Sequence, residues 1–286
     1  MAAASDEKLF MAGTVADAVA VLAERGADCA PFAGGTWIMR APVRGEAHFT
    51  SYVGIGRIAE LNTVDITDHD IRIGACVTHA RLFASLEAVV QCNGLKAAAA
   101  QAANPAVRHM ATLGGNLSVR EFPASDLPPA LLCLDAGIEL RTPSGHERIP
   151  IDRFLNIRAN LEPGALVTGV VIRRCPLRTG HARLPLRKGG HYPVAIVSVA
   201  VALGSDGSVE DIRVAVGSVE PSARRWPQLE ERLLGRPLDP CTAHAFAESC
   251  ANSFTGRDSI EAPGWYRVQI LPALVRRAVE AVVVAP

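Results

Sequence analysis

Two Gly-Gly pairs constrain this chain more than any other feature. The first stands in Ala33-Gly34-Gly35-Thr36-Trp37 and the second in Ala111-Thr112-Leu113-Gly114-Gly115-Asn116. Paired glycines reach positive φ at little steric cost and carry no Cβ, so several main-chain N–H groups can close on one anion. A diphosphate is the kind of group whose charge such a concave run of donors stabilises in place of water. Hydroxyls on Thr36 and Thr112 and the amide of Asn116 add side-chain donors. Taken singly, each pair reads equally well as a tight turn. Two similar turns in one chain, each between an apolar element and a Thr or Asn, point to joint binding of one ligand.

Competing nucleotide motifs fail. The chain holds no GxxxxGK[ST], so it has no P-loop. Gly54-Ile55-Gly56-Arg57-Ile58-Ala59 half-matches the dinucleotide fingerprint, but a strand pattern resumes by Thr63 and leaves room for only about one helical turn. No GxSxG or HExxH occurs, which removes the usual nucleophile elbow and zinc-protease readings. His79 and His109 flank a helical region and read as packing or capping residues.

Charge excludes a further class. Lys plus Arg and Asp plus Glu number 29 each, giving a formal net charge of zero. A balanced chain lacks the phosphate-backbone attraction on which nucleic-acid binders depend. The seven cysteines are scattered singly with no CxxC spacing, so they read as small buried hydrophobes rather than metal or cluster ligands. The N-terminus shows no secretory pattern, and the apolar runs Val194 to Leu203 and Ala278 to Pro286 are too short to span a bilayer. A cytoplasmic protein is expected.

Periodicity gives the organisation. Thr14 to Gly26 reads as a helix capped by Thr14 and stopped by Gly26. Short strands follow between His48 and Thr78, then an alanine-rich helical stretch from Thr78 to Ala103, interrupted at Asn93-Gly94. Asp126 to Leu134 reads as a short helix, and Gly137 to Arg141 as a strand turning at Pro143-Ser144-Gly145. Val194 to Leu203 and Val209 to Val219 read as antiparallel strands, followed by helices over 222–234, 241–252 and 265–284. Such a mixture favours an α+β architecture over a doubly wound parallel sheet. Domain boundaries are expected near 58 and 175, giving segments 1–58, 59–175 and 176–286.

The block NPAVRHMATLGGNLSVREFPASDLPPALLCLDAGIEL, with AGGT at 33–36, IGACVTHARL near Ile73 and the late Trp265-Tyr266-Arg267, resembles the FAD-binding subunit of the xanthine dehydrogenase and carbon monoxide dehydrogenase family of molybdenum hydroxylases. The resemblance covers nearly the whole chain. It implies a vanillyl-alcohol-oxidase (PCMH) type FAD-binding fold in two small subdomains, followed by a C-terminal three-stranded sheet with a helical bundle. It also implies that both glycine turns hold the FAD diphosphate and that Asp126 is a further cofactor contact. An alternative reading of Asp126 is an N-cap for the DLPPALL helix. An apolar flavin contact maps to Leu166 or Val167. A lysine approaching FAD maps to Lys188, with Arg183 and Arg187 as alternatives in a shifted register.

Two departures from the family pattern stand out. Trp37 occupies a position where a small or polar residue is usual, and Val119-Arg120-Glu121-Phe122 is bulkier and more charged than the usual run of small residues.

The resemblance further implies that substrate is oxidised in a large molybdopterin-binding partner. Electrons then cross the [2Fe-2S] clusters of a small partner and leave through FAD, in a dimer of heterotrimers. NAD, quinone, oxygen or another redox protein remain open as acceptors, and no acid–base catalytic residue is expected here. The alternatives are a stand-alone FAD-dependent oxidase acting on a small organic substrate, and a scaffold without cofactor.

Overall fold

The computed structural model describes residues 8–186 and 192–284. Three sheets divide it. The first is parallel, in the order β1-β3-β2, from β1 (Leu9–Met11), β2 (Cys29–Phe32) and β3 (Ser51–Gly54). The second is antiparallel, in the order β4-β5-β8-β6-β7, from β4 (Val64–Ile66), β5 (Asp70–Gly74), β6 (Gly137–Thr142), β7 (Gly145–Pro150) and β8 (Leu166–Arg173). The third, also antiparallel, comprises β9 (Arg178–Pro185), β10 (Pro193–Leu203), β11 (Val209–Gly217) and β12 (Arg224–Arg225), with β12 at the edge beside β11. The C-terminal sheet therefore has four strands where three were expected, because two residues after the 218–223 loop pair with Ala215 and Val216.

Local chemistry explains where the helices fall. Helix α1 (Val15–Arg25) starts at a capping box, in which the Thr14 hydroxyl accepts from the Asp17 amide while the Asp17 carboxylate accepts from the Thr14 amide. It ends at Gly26, whose φ of 71° suits glycine. The alanine-rich stretch splits into α2 (His79–Ser85) and α3 (Asn93–Gln101). Asn93-Gly94 opens the second of these helices rather than interrupting one long helix. Gly94 packs closely on β9, where a Cβ would make a tight 3.1 Å contact with the Gly180 carbonyl oxygen. Then come α4 (Pro105–Arg108), capped by Asn104, α5 (Leu113–Ser118), α6 (Leu127–Cys133) and α7 (Ile151–Ile157).

The C-terminal helices are α8 (Pro227–Leu233), α9 (Pro240–Cys250), α10 (Gly264–Gln269) and α11 (Leu271–Val284). The expected single helix over 265–284 is broken at Ile270, just before Pro272, which lacks the N–H that a continuous helix would use.

Each sheet has its own apolar cluster. A small one unites Ala18, Leu22, Val53 and Ile58. A large one joins β5, β6 and β8 to α3, α5, α6 and α7 through Ile71, Leu95, Leu117, Leu131, Ile138 and Phe154. The third packs Trp226 and the α9 and α11 faces on Val197, Val199 and Val214. The buried guanidinium of Arg267 ties the C-terminal sheet to the loop before α10. It donates to the carbonyls of Val194 (2.6 Å) and Ser218 (3.1 Å) and to the Ser259 hydroxyl (2.6 Å). Among the described residues no helix is long and apolar enough to cross a membrane.

Candidate cofactor site

The two glycine turns meet. A Cβ built on Gly34 would lie 1.8 Å from the Met110 carbonyl oxygen and 3.3 Å from the Ala111 nitrogen. Only glycine lets the backbone after β2 approach the backbone before α5 this closely. A turn carrying any side chain at 34 would hold the two segments apart.

The turns differ in what they offer. In the first, Gly35 has φ 69°, and its carbonyl accepts from the Met39 amide while that of Trp37 accepts from Arg40. The amides of Gly34, Gly35, Thr36 and Trp37 make no hydrogen bond among the described residues, nor does the Thr36 hydroxyl. Such consecutive unpaired donors are rare in a folded chain, and they suit an anion. Ala33 precedes them, half-buried against the small apolar cluster.

The second turn spends most of its main-chain amides internally. The Leu113 amide donates to Val77 (2.9 Å), Gly114 to Ala75 (2.8 Å) and Asn116 to the Thr112 carbonyl (2.9 Å). Gly115 donates to the Thr112 hydroxyl (3.2 Å), which caps α5. Gly114 is a packing glycine, since a Cβ there would sit 2.7 Å from the Ala75 Cβ. What this turn leaves for a ligand is the Thr112 amide, which has no partner among the described residues, the exposed Gly115 surface and the Asn116 side chain. Asn116 Oδ1 accepts from the Ser125 hydroxyl at 2.5 Å, which fixes the carboxamide and leaves its NH₂ without a partner among the described residues. The Ala111 carbonyl accepts the His79 amide, binding α2 to the turn.

Asp126 does not cap α6. Its backbone is already helical and its carboxylate makes no cap bond, so that expectation is corrected. The side chain is buried and turned toward the C-terminal domain, with Oδ1 2.8 Å from Arg183 Nε and 3.8 Å from His181 Nε2, both on β9. The His181 Nδ1 meets the Ser198 hydroxyl at 2.9 Å, and Arg183 also donates to the Gln101 carbonyl. Of the three basic residues considered in the sequence, Arg183 therefore stands against Asp126. Lys188 and Arg187 lie outside the described residues.

Leu166 and Val167 begin β8 and are both buried. Leu166 joins the small N-terminal cluster and Val167 the central one, so packing accounts for both side chains.

His79 is more than a capping residue. Its ring is buried beside the second turn, and neither nitrogen has a partner among the described residues. Burial pushes its pKa down to about 4, against the pull of Asp126 and with the help of Arg108. The ring is neutral at pH 7.

The Trp37 indole has two neighbours, Arg44 and Phe122. The Arg44 guanidinium lies 4.0 Å from the ring, donates to the Trp37 carbonyl (3.0 Å) and is paired with Glu46. The indole also meets Phe122, centroids 4.6 Å apart, and Phe122 meets Tyr192 at 5.1 Å. These rings border a cavity of about 400 Å³ that also touches Ala124, Arg257 and Ile260. Tyr192, Ser125 and His181 escaped the sequence reading. Ser125 alone carried a signal, as a member of the PASDLPP block.

The residues present fit a dinucleotide. The fit rests on the run of unpaired amides at 34–37, the glycine contact that brings the segment before α5 alongside it, and the Asn116 carboxamide fixed by Ser125. Residues 5–174 match the family of the FAD binding domain in molybdopterin dehydrogenase, and residues 185–282 match the CO dehydrogenase flavoprotein C-terminal domain. The chain is 28% identical over 274 residues to the carbon monoxide dehydrogenase medium chain of Afipia carboxidovorans, covering 93% of each. It is 27% identical to the nicotine 6-hydroxylase medium subunit of Paenarthrobacter nicotinovorans, covering 86% of this chain and 87% of that one. In three dimensions it is similar to a chain of carbon monoxide dehydrogenase from Hydrogenophaga pseudoflava, with a TM-score of 0.87, 26% identity and 96% of each chain covered.

Proposed function

Because the chain belongs to the family of FAD-binding domains of molybdopterin dehydrogenases, we propose that it is the medium subunit of a molybdenum hydroxylase complex and carries electrons from partner clusters to an external acceptor. FAD, when bound, takes up electrons singly and gives them up as a pair; the protein supplies binding, orientation and tuning. The amides of Gly34, Gly35, Thr36 and Trp37 donate to the diphosphate, and the Thr36 hydroxyl and Asn116 carboxamide complete the set. Thr112 holds the second turn in shape, and Gly114 and Gly115 keep it slim enough to lie alongside. Asp126 fixes Arg183 and β9 against the cofactor domain.

The observation that carries this reading is the run of unpaired amides beside a glycine-only contact. Full-length similarity to medium chains of multi-subunit dehydrogenases supports the assembly. The partners are a large molybdopterin-binding subunit and a small [2Fe-2S] subunit, arranged as a dimer of heterotrimers in the cytoplasm. NAD is one acceptor to test, beside quinone and oxygen.

Expression with the neighbouring genes tests this. Both partners co-purify, and bound FAD is bleached by the complex's substrate only when they are present. Reduction of FAD in the isolated chain by a small organic compound would instead favour a stand-alone oxidase.

A further inference from the structure

Trp37 and Phe122, which follow the two glycine turns in sequence, are in contact with each other. Trp37 follows the first glycine turn, and Phe122 lies in the segment that leaves α5 after the second. Their rings are 4.6 Å apart and tilted by 42°. Arg44 covers the indole at 4.0 Å and is itself fixed by Glu46 and by the Trp37 carbonyl. Beyond Phe122 the row continues edge-on to Tyr192. The Gly34–Met110 contact joins the turns through the main chain, and the aromatic pair joins them again through side chains.

We infer that Trp37 and Phe122 form a strap across the cofactor cleft, which holds the two glycine turns in their binding arrangement before FAD arrives. This rests on the reading of those turns as the seat of FAD. The physical argument is preorganisation. Four consecutive unpaired amides are stabilised by water, so a chain without cofactor gains by letting the first turn open to solvent. Aromatic pairs contribute beyond their buried area, and a guanidinium stacked on an indole adds to them. Holding the turns together in the free protein removes an ordering cost from the binding step and raises affinity. Trp37 and Phe122 are positioning residues: the main chain at 34–37 contacts the diphosphate, and the indole sets where that main chain lies.

The test uses the full chain, freed of cofactor and then titrated with FAD. The set comprises the wild type, Trp37→Ala, Phe122→Ala, the double variant and Trp37→Phe, each checked for folding by circular dichroism. Both single alanine variants weaken FAD binding about fivefold to tenfold, the double variant weakens it no further than either, and Trp37→Phe recovers most of the loss. Amide hydrogen exchange without FAD gives an independent readout. Phe122→Ala, a change outside the first turn, speeds exchange at Met39 and Arg40, whose amides close the first turn onto Gly35 and Trp37. The strap is overturned if Phe122→Ala leaves that exchange unchanged, or if the two single effects on affinity multiply in the double variant. A wild type that takes up no FAD would contradict the cofactor reading alone, and the exchange result would still decide the strap.

Discussion

A methyl group on Gly34 would sit 1.8 Å from the carbonyl oxygen of Met110, so these two residues touch backbone to backbone. The contact brings together two turns that are far apart in sequence. It also makes Gly34 the position where the smallest change has the largest effect.

Gly34→Ala is therefore expected to destabilise the protein by about 3 kcal/mol, because the clash is with main chain and no rotamer relieves it. Urea unfolding of the cofactor-free chain checks this. A loss below about 1 kcal/mol would mean that the turns separate easily.

Thr112→Val keeps the shape of the side chain but removes the acceptor for the Gly115 amide. A lost N-cap costs about 1 kcal/mol. Since Gly115 is exposed, water replaces the hydroxyl, and the first turn of α5 frays rather than unfolds. The expected outcome is a modest fall in stability with faster hydrogen exchange at Gly115 and Asn116, and unchanged exchange at Leu113, which is held by Val77.

Asp126 and Arg183 are each 5% exposed at the side chain and pair across the boundary between the cofactor domain and the C-terminal sheet. Asp126→Asn leaves a buried guanidinium without its counter-charge and is expected to cost about 3 kcal/mol. Adding Arg183→Met to that variant should recover part of the loss. If the two changes simply add, the ion pair is not what couples the domains.

His79 gives the protein a defined pH response. Its folded pKa, near 4, lies below the ordinary value of 6.5. Between those limits the unfolded chain binds the proton and the folded chain does not, so stability falls as pH drops from about 6.5 toward 4 and levels off below. The slope from this group is about 1.4 kcal/mol per pH unit at most. His79→Gln removes that component, and urea midpoints from pH 7 to pH 4 measure it. Identical slopes in the two proteins would contradict the assignment.

Much of this was legible in the sequence because local rules and tertiary structure agree. The Thr14 cap, the Gly26 stop and the turn at Pro143-Ser144-Gly145 are short-range features and fall where expected. The half-matched fingerprint at Gly54 ends in a single turn of helix, Ala59–Asn62, as the spacing required. The division of labour between the glycine turns was not legible. Both show the same Gly-Gly text, yet one is an open turn and the other the first turn of a helix. What decides between them is the pairing of Leu113 and Gly114 with Val77 and Ala75, which is tertiary.

The same holds for Asp126. Its place at the head of DLPPALL suggests a cap, and only the approach of β9 shows that its partner is Arg183. Strand β9 itself was missed, since RTGHARLP mixes polar and small residues that are buried only because α3 and α11 cover them.

Titration of FAD into the cofactor-free chain, wild type against Gly34→Ala, tests the central claim most directly. The account predicts saturation at a single flavin per wild-type chain and binding weakened by at least about a hundredfold in the variant, a change of about 2.7 kcal/mol, while circular dichroism still reports a folded protein. Equal affinity in the two chains, or no uptake by the wild type, would contradict it.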